Sequence, residues 1–143
     1  MPEPSISKIA CDAVPVNRRR GGALRVLLSP RTVGATSGFL GVLALEPGEF
    51  VSEHYHPYSE EFLYVTEGAL LVRLDGTTEI RLAAREALMI PKNVRHRVVN
   101  DASGPAAAVF HLSPLAPSPE LGHVDTEEPP GRGQPLPQVG GST

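Results

Sequence analysis

Apolar and polar residues alternate along this chain in short runs, and most runs are closed by glycine, proline or aspartate. A period of two marks strands that turn one face to a core. Residues 24–28 (LRVLL) form such a run, stopped by Ser29 and Pro30. Residues 39–46 (FLGVLALE) are almost wholly apolar, as expected of a strand covered on both sides, and Pro47 and Gly48 turn the chain after it. Over residues 50–56 the alternation puts Phe50, Ser52, His54 and His56 inward, with Val51, Glu53 and Tyr55 outward. Over residues 61–66 it puts Glu61, Leu63 and Val65 inward, with Phe62 and Tyr64 outward. Residues 69–75 and 77–82 are joined around Asp75 and Gly76, a hairpin signal. Residues 86–90 lead into Pro91, and residues 106–112 (AAAVFHL) supply a last strand. The count is about nine or ten short strands with turns every eight to twelve residues, the spacing of a β-sandwich or small barrel. No long helix is expected. The outward Tyr55, Phe62 and Tyr64 are too many aromatics for a plain wet face and predict a second layer or a dimer surface.

The pattern fades at both ends. Residues 1–22 read as an arm with one apolar patch at residues 6–10, ended by Pro15 and a turn at residues 18–22; it either pairs with a sheet edge or stays loose. The patterned unit spans residues 23–115. Residues 116–143 are rich in proline and glycine with few large apolar side chains. This tail cannot build a core of its own, so it is either laid over the barrel or disordered, with disorder expected after about residue 129.

Two stretches carry chemistry. In residues 48–68 (GEFVSEHYHPYSEEFLYVTEG), His54 and His56 share one strand face, so their imidazoles can grip a single ion. In residues 89–100 (MIPKNVRHRVVN), His96 follows a proline turn and shares a face with Val98 and Asn100, while Arg95, Arg97 and Val99 share the other. His96 is therefore the candidate third imidazole. The intervals linking Gly48, His54, His56, Glu61 and Gly68 resemble the first motif of the cupin superfamily at every position. Pro91, His96 and Asn100 match the second motif, but Arg85 and Asn93 stand where that motif has glycines. Asparagine tolerates the left-handed turn conformation; Arg85 departs without an evident substitute. The resemblance implies an all-β, cupin-type jelly roll holding a metal ion.

Composition sharpens this picture in a few places. The 143 residues make one domain, and 14 glycines with 15 prolines suit a turn-rich β protein. A formal net charge of -3 makes an extended phosphate backbone an unsuitable partner. The run Arg18, Arg19 and Arg20 reads as a solvated turn. A single cysteine, Cys11, excludes an internal disulfide and suits a reducing compartment. There is no leader pattern and no apolar stretch near 18 residues, so a soluble, cytoplasmic protein without a membrane partner is expected.

His54, His56 and His96 are the core of the expected metal site, and the fourth ligand is open between two residues. The resemblance nominates Glu61, leaving Glu60 outward. His111 lies on the last strand and would reach the ion if that strand ran beside the one bearing His54 and His56; imidazole nitrogen is a good donor for zinc, copper, iron or nickel. With His111 bound, Glu61 would stand behind the ligands and orient an imidazole or a water. His123 reads as a surface residue or tail contact. Asn100, a buried amide, either fixes a strand end through backbone hydrogen bonds or faces ligand. Inward Phe39, Leu43, Leu45, Phe50, Leu63, Leu74, Met89 and Val98 would make an apolar funnel above the ion. No arginine or lysine is expected inside, so a sugar phosphate would fit poorly.

Such a site supports two chemistries. Zinc would polarise a ketone or stabilise an enolate. Iron, nickel or copper would suit a dioxygenase acting on an aromatic or enediol compound. A non-catalytic sensor is the third reading, weakened by the lack of a helical DNA-binding segment. The segments HYHPYSEE at residues 54–61 and HLSPLAPSPELGHVDTE at residues 111–127 are similar to the cupin-type cyclases of bacterial aromatic polyketide biosynthesis, of the tetracenomycin and resistomycin kind. That resemblance implies a poly-β-keto substrate, intramolecular aldol condensation with dehydration, and association with other polyketide synthase components. It assigns His54, His56, His96 and His111 to the ion, most readily zinc, and has either Glu61, the candidate catalytic residue, or a metal-bound water take the α proton. A homodimer is expected.

Overall fold

The computed structural model describes residues 6–141, which form two antiparallel five-stranded sheets packed face to face. The strands are β1 (Ala23–Leu28), β2 (Phe39–Leu45), β3 (Phe50–Tyr55), β4 (Glu60–Glu67), β5 (Ala69–Leu74), β6 (Thr78–Ala83), β7 (Ala87–Ile90), β8 (His96–Val99), β9 (Ala106–Ser113) and β10 (Val124–Asp125). One sheet runs β1-β2-β9-β4-β7 and the other β10-β3-β8-β5-β6. The alternation predicted the short strands, and their arrangement is the all-β jelly roll that the motif resemblance implied. Alternate residues of both sheets meet between the layers, among them Leu43, Leu63, Val65, Leu70, Val72, Val98 and Phe110. Among the described residues, helix is confined to a three-residue 3-10 turn (Cys11–Ala13) and one turn, α1 (Pro30–Val33). Ser29 caps α1, its Oγ accepting from Thr32 N–H while Thr32 Oγ1 accepts from Ser29 N–H, and Gly34 at φ 69° ends it. No helix among the described residues is long and apolar enough to cross a membrane.

A bulge in β3 positions the site. Val51 pairs with Val98 and His54 with His96, so β3 spends three residues where β8 spends two. The extra residue shifts the side-chain phase by one. Before the bulge Val51 points into the cavity and Phe50 points out, where Arg97 stacks on its ring at 4.1 Å. Unbroken alternation places these two residues the other way round. After the bulge His54 and His56 face inward as expected. Met89 is also corrected: β7 pairs Phe62 with Met89 and Glu61 with Ile90, so Ile90 is buried and Met89 is exposed beside Phe62.

The two positions that lack motif glycines adopt glycine-like backbone all the same. Arg85 has φ 74° and Asn93 φ 66°. The Arg85 turn is held by its N–H, which donates to Val65 O at 2.7 Å, and Asn93 N–H donates to His56 O at 3.0 Å. Tertiary hydrogen bonds thus offset the strain of a left-handed side chain. Asn100 is fully buried and fixes a strand end: its Nδ2 donates to Leu45 O and Gly104 O, and its Oδ1 accepts from Ala102 N–H.

The chain ends meet across the barrel. Asn17 bridges to Leu24 beside β1. Arg18 N–H donates to Gln134 Oε1, Asn17 Nδ2 to Pro135 O, Arg19 Nη1 to Arg132 O and Gln134 O, and Gly131 N–H to Arg19 O. Further back in the tail, β10 pairs with β3 and adds an edge to the second sheet.

Candidate metal centre and its cavity

Three neighbouring elements of the barrel converge on one point. His54 on β3, His56 just beyond it, Glu61 on β4 and His96 on β8 offer ligand atoms that all lie within 4.8 Å of one another. The imidazole centroids are 4.4 Å apart for His54 and His96, 4.9 Å for His54 and His56, and 5.2 Å for His56 and His96. Each ring is braced from behind by a backbone carbonyl. Nδ1 of His54 lies 2.7 Å from Ser52 O, that of His56 2.9 Å from Gly122 O, and that of His96 3.0 Å from Val94 O. A proton held on Nδ1 leaves Nε2 as the lone-pair donor, the tautomer a metal ligand needs. Glu61 Oε1 lies 3.3 Å from His56 Nε2, and its Oε2 lies 3.8 Å from His96 Nε2. The buried Nε2 atoms of His56 and His96 have no hydrogen-bond partner. Buried polar atoms are rarely left so, and a divalent cation at the centre would satisfy both.

Electrostatics agree with that donor set. Burial pushes the His54 imidazolium well below its usual range, and the charges of His96, Arg20 and His56 push the same way. Burial likewise lowers His96, against the opposing pull of Glu61. Burial alone would raise the Glu61 carboxyl, but His96, the close contact with His56 and the field of Arg20 outweigh it and hold the group at about 2. Neutral imidazoles at His54 and His96 beside an ionised carboxylate fit a divalent metal ion.

His111 does not join the cluster. The last strand is not beside β3: β9 lies in the facing sheet between β2 and β4, and the face it turns toward β3 and β8 does not include His111. On β9 the buried residues are Phe110 and Leu112, so His111 projects from the outer face and meets Phe62, with ring centroids 6.1 Å apart. The fourth member of the cluster is therefore Glu61.

Above the cluster lies a cavity walled by Leu43, Leu63, Val98, Phe110 and Leu112 from the sheets. Its remaining wall comes from the flanks: Arg20 from the arm, and Leu115, Pro119, Gly122, His123, Leu136 and Val139 from the tail. Two expectations fail here. Arg20 is not solvated, its side chain being only 11% exposed, and it brings a cation into a cavity expected to have none. His123, expected at the surface, is 9% exposed along its side chain and lines the cavity, with Asp125 Oδ2 at 3.9 Å from its Nε2. The sequence signal for Arg20 is the pair Gly21 and Gly22 that follows it. Gly21, at φ 107°, has Phe50 O in the space a Cβ would need, so the chain runs flat against β3 there. No local signal marks Gly122 O as the brace of His56.

Comparison with known proteins agrees with this architecture. Residues 41–112 match the model of the cupin domain. The chain is 53% identical over 135 residues to the tetracenomycin polyketide synthase protein TcmJ of Streptomyces glaucescens, covering 94% of this chain and 90% of that one. It is 64% identical over 113 residues to the polyketide synthase CurC of Streptomyces cyaneus, covering 79% and 73%. The crystal structure of the polyketide cyclase RemF of Streptomyces resistomycificus superposes with a TM-score of 0.66 at 19% identity, covering 76% and 80%, a likeness of fold. With a jelly roll, a cluster of three histidines and one glutamate between its sheets, and a family match over half its length, the chain belongs to the cupin family.

Proposed function

We propose that the chain is a metal-dependent polyketide cyclase that closes aromatic rings in a poly-β-keto chain by intramolecular aldol condensation and loss of water. The observation that carries this reading is the cluster of His54, His56, Glu61 and His96, with two unpartnered Nε2 atoms, at the base of an apolar cavity. The names of the relatives TcmJ and CurC, which match most of this chain, support a place in polyketide synthesis.

In this reading the four residues hold a divalent ion, zinc, which supplies Lewis acidity toward a ketone and its enolate. Leu63, Val98, Phe110 and Leu112 exclude water and hold the flexible chain folded, so that two of its carbons meet at effectively high concentration. An α C–H loses its proton, a C–C bond forms to a distant ketone carbon, that oxygen gains a proton, and water leaves. Glu61, whose oxygens face Nε2 of His56 and His96, is assigned to holding the ion in place of the proton transfer that the resemblance offered it. The exposed Phe62 and Tyr64, 43% and 41% accessible, support pairing of two copies through the outer face of the first sheet. The single cysteine supports a cytoplasmic setting.

The test combines elemental analysis of protein purified without added metal or chelator with turnover of a poly-β-keto substrate in an oxygen electrode. Near-stoichiometric zinc and cyclised product without oxygen uptake are expected. Oxygen consumed in step with product would replace this reading with a dioxygenase.

A further inference from the structure

We propose that Arg20 anchors an anion-binding subsite beside the His-Glu cluster, built to seat a carboxylate or enolate oxygen of whatever ligand fills the cavity. The subsite deepens the cyclase reading and rests on it only for the ligand's identity, since a poly-β-keto chain enolises readily.

The placement of Arg20 is fixed by backbone. Its carbonyl accepts the N–H of Ser52 at 2.8 Å, inside the β3 bulge, and the flat passage at Gly21 leaves no freedom to swing away. The side chain thus lines the cavity that His54, His56, Glu61 and His96 also line.

Arg19, Arg20 and Arg73 each bury an Nε without a partner, but of the three only Arg20 lines the cavity, and the side chain of Arg73 is 39% exposed. Arg81 forms a two-pronged pair with Asp101 at 2.8 Å on both prongs, and Arg19 donates to two tail carbonyls. Arg20, buried, has no hydrogen bond from its guanidinium among the described residues, and its Nε is buried without a partner. The nearest carboxylate oxygen, Asp125 Oδ1, stands 3.7 Å from Nε, beyond hydrogen-bond reach, and is itself buried without a partner. Burial drags Arg20 down to about 10, opposed by Asp125 and Glu61, so the group stays charged at neutral pH. Maintaining a charged fork in an apolar cavity with its donors unused is costly unless something else fills them. The planar fork matches a delocalised oxyanion, which can accept from two N–H groups at once. His123 stands in the same wall, kept neutral by burial and by the charge of Arg20, so it adds no competing cation. Against Arg20 stand the carboxylates of Asp125 and Glu61, so this wall carries one net positive charge only once a divalent ion is held, which favours a singly charged ligand over a phosphate dianion.

The experiment uses the full chain, both metal-loaded and chelator-stripped, because a bound ion could also attract an anion. Benzoate and its neutral isostere benzamide are titrated calorimetrically, and acetylacetone is followed by the near-ultraviolet absorption of its enolate. Wild-type protein is expected to bind benzoate about tenfold more tightly than benzamide, or to ionise acetylacetone at lower pH than in buffer, in the loaded form, and to keep a weaker preference in the stripped one. Arg20→Gln should erase either effect with metal content and circular dichroism unchanged, and Arg20→Lys should keep part of it. A response to benzoate alone assigns the subsite to carboxylates; a response to acetylacetone alone assigns it to enolates. Equal binding of benzoate and benzamide with no change in acetylacetone ionisation would overturn the proposal. So would a preference that survives in Arg20→Gln, which would leave Arg20 a structural partner of Asp125. Loss of cyclisation with the anion preference intact counts against the cyclase reading and leaves the subsite standing.

Discussion

Residues 48–100 and the two flanks, residues 6–22 and 116–141, build the same cavity by different means. In the first region His54, His56 and His96 come from the paired β3 and β8 and Glu61 comes from β4 in the facing sheet, and their positions follow from strand phase, one bulge and the packing of the two sheets. In the flanks, Arg20, Gly122, His123 and Asp125 arrive through contacts between segments far apart in the chain, such as Arg18 to Gln134, and through the short pairing of β10 with β3. The barrel grips the ion and the flanks shape what can sit beside it. Metal retention and ligand selection can therefore be perturbed separately, although Gly122 O crosses the divide by bracing His56.

The largest effect should come from the barrel side. Replacing His54 with alanine removes a ligand and should reduce metal content to background in elemental analysis, with cyclisation lost alongside it. His111→Ala, a histidine of the same barrel on the outer face, should keep full metal content and change unfolding free energy by less than about 1 kcal/mol. If the two variants lost metal equally, the assignment of Glu61 over His111 would be wrong.

Deleting residues 117–143 probes the crossing point. The barrel should retain its circular dichroism, while His56 loses the carbonyl that orients it. Metal affinity, read by competition with a chromophoric chelator, should fall by about 10- to 100-fold. Undiminished affinity would show that the flank contributes nothing to the ion.

The smallest effect concerns how the tail stays docked. Glu127 Oε1 accepts from Glu53 N–H at 2.8 Å and from Arg97 Nε at 3.1 Å. Burial would raise this carboxyl, but the Glu53 amide and Arg97 prevail and hold it below the usual 4.5. A carboxyl depressed on folding contributes stability that is present above its unfolded value near 4.5 and is lost as pH falls through the lower, folded value. Hydrogen exchange in residues 116–141 should therefore quicken below about pH 4.5 relative to the barrel, by less than about fivefold for so exposed a pair. Glu127→Gln should remove that pH dependence, and an unchanged profile would locate the docking elsewhere.

Local pattern was enough to read the all-β fold, the turn positions, and the three imidazoles of His54, His56 and His96, but it left the fourth member open between Glu61 and His111. These depend on alternation and on fixed intervals, and a strand must project every second side chain to one face. Asn100 was legible for the same reason, as a buried amide at a strand end. Other features exist only once the sheets are assembled. The bulge that exchanges Phe50 and Val51 arises through pairing with β8, and the outward turn of Met89 and His111 is set by register with β4. Arg85 adopts a glycine-like backbone because Val65 O is there to receive its amide. Arg20 and His123 sit in segments without periodicity, and their burial arises where the two ends of the chain close over the barrel. Charge and composition said solvent for Arg20 and a surface position or tail contact for His123; the packing of the ends, which no local pattern encodes, put them in the cavity.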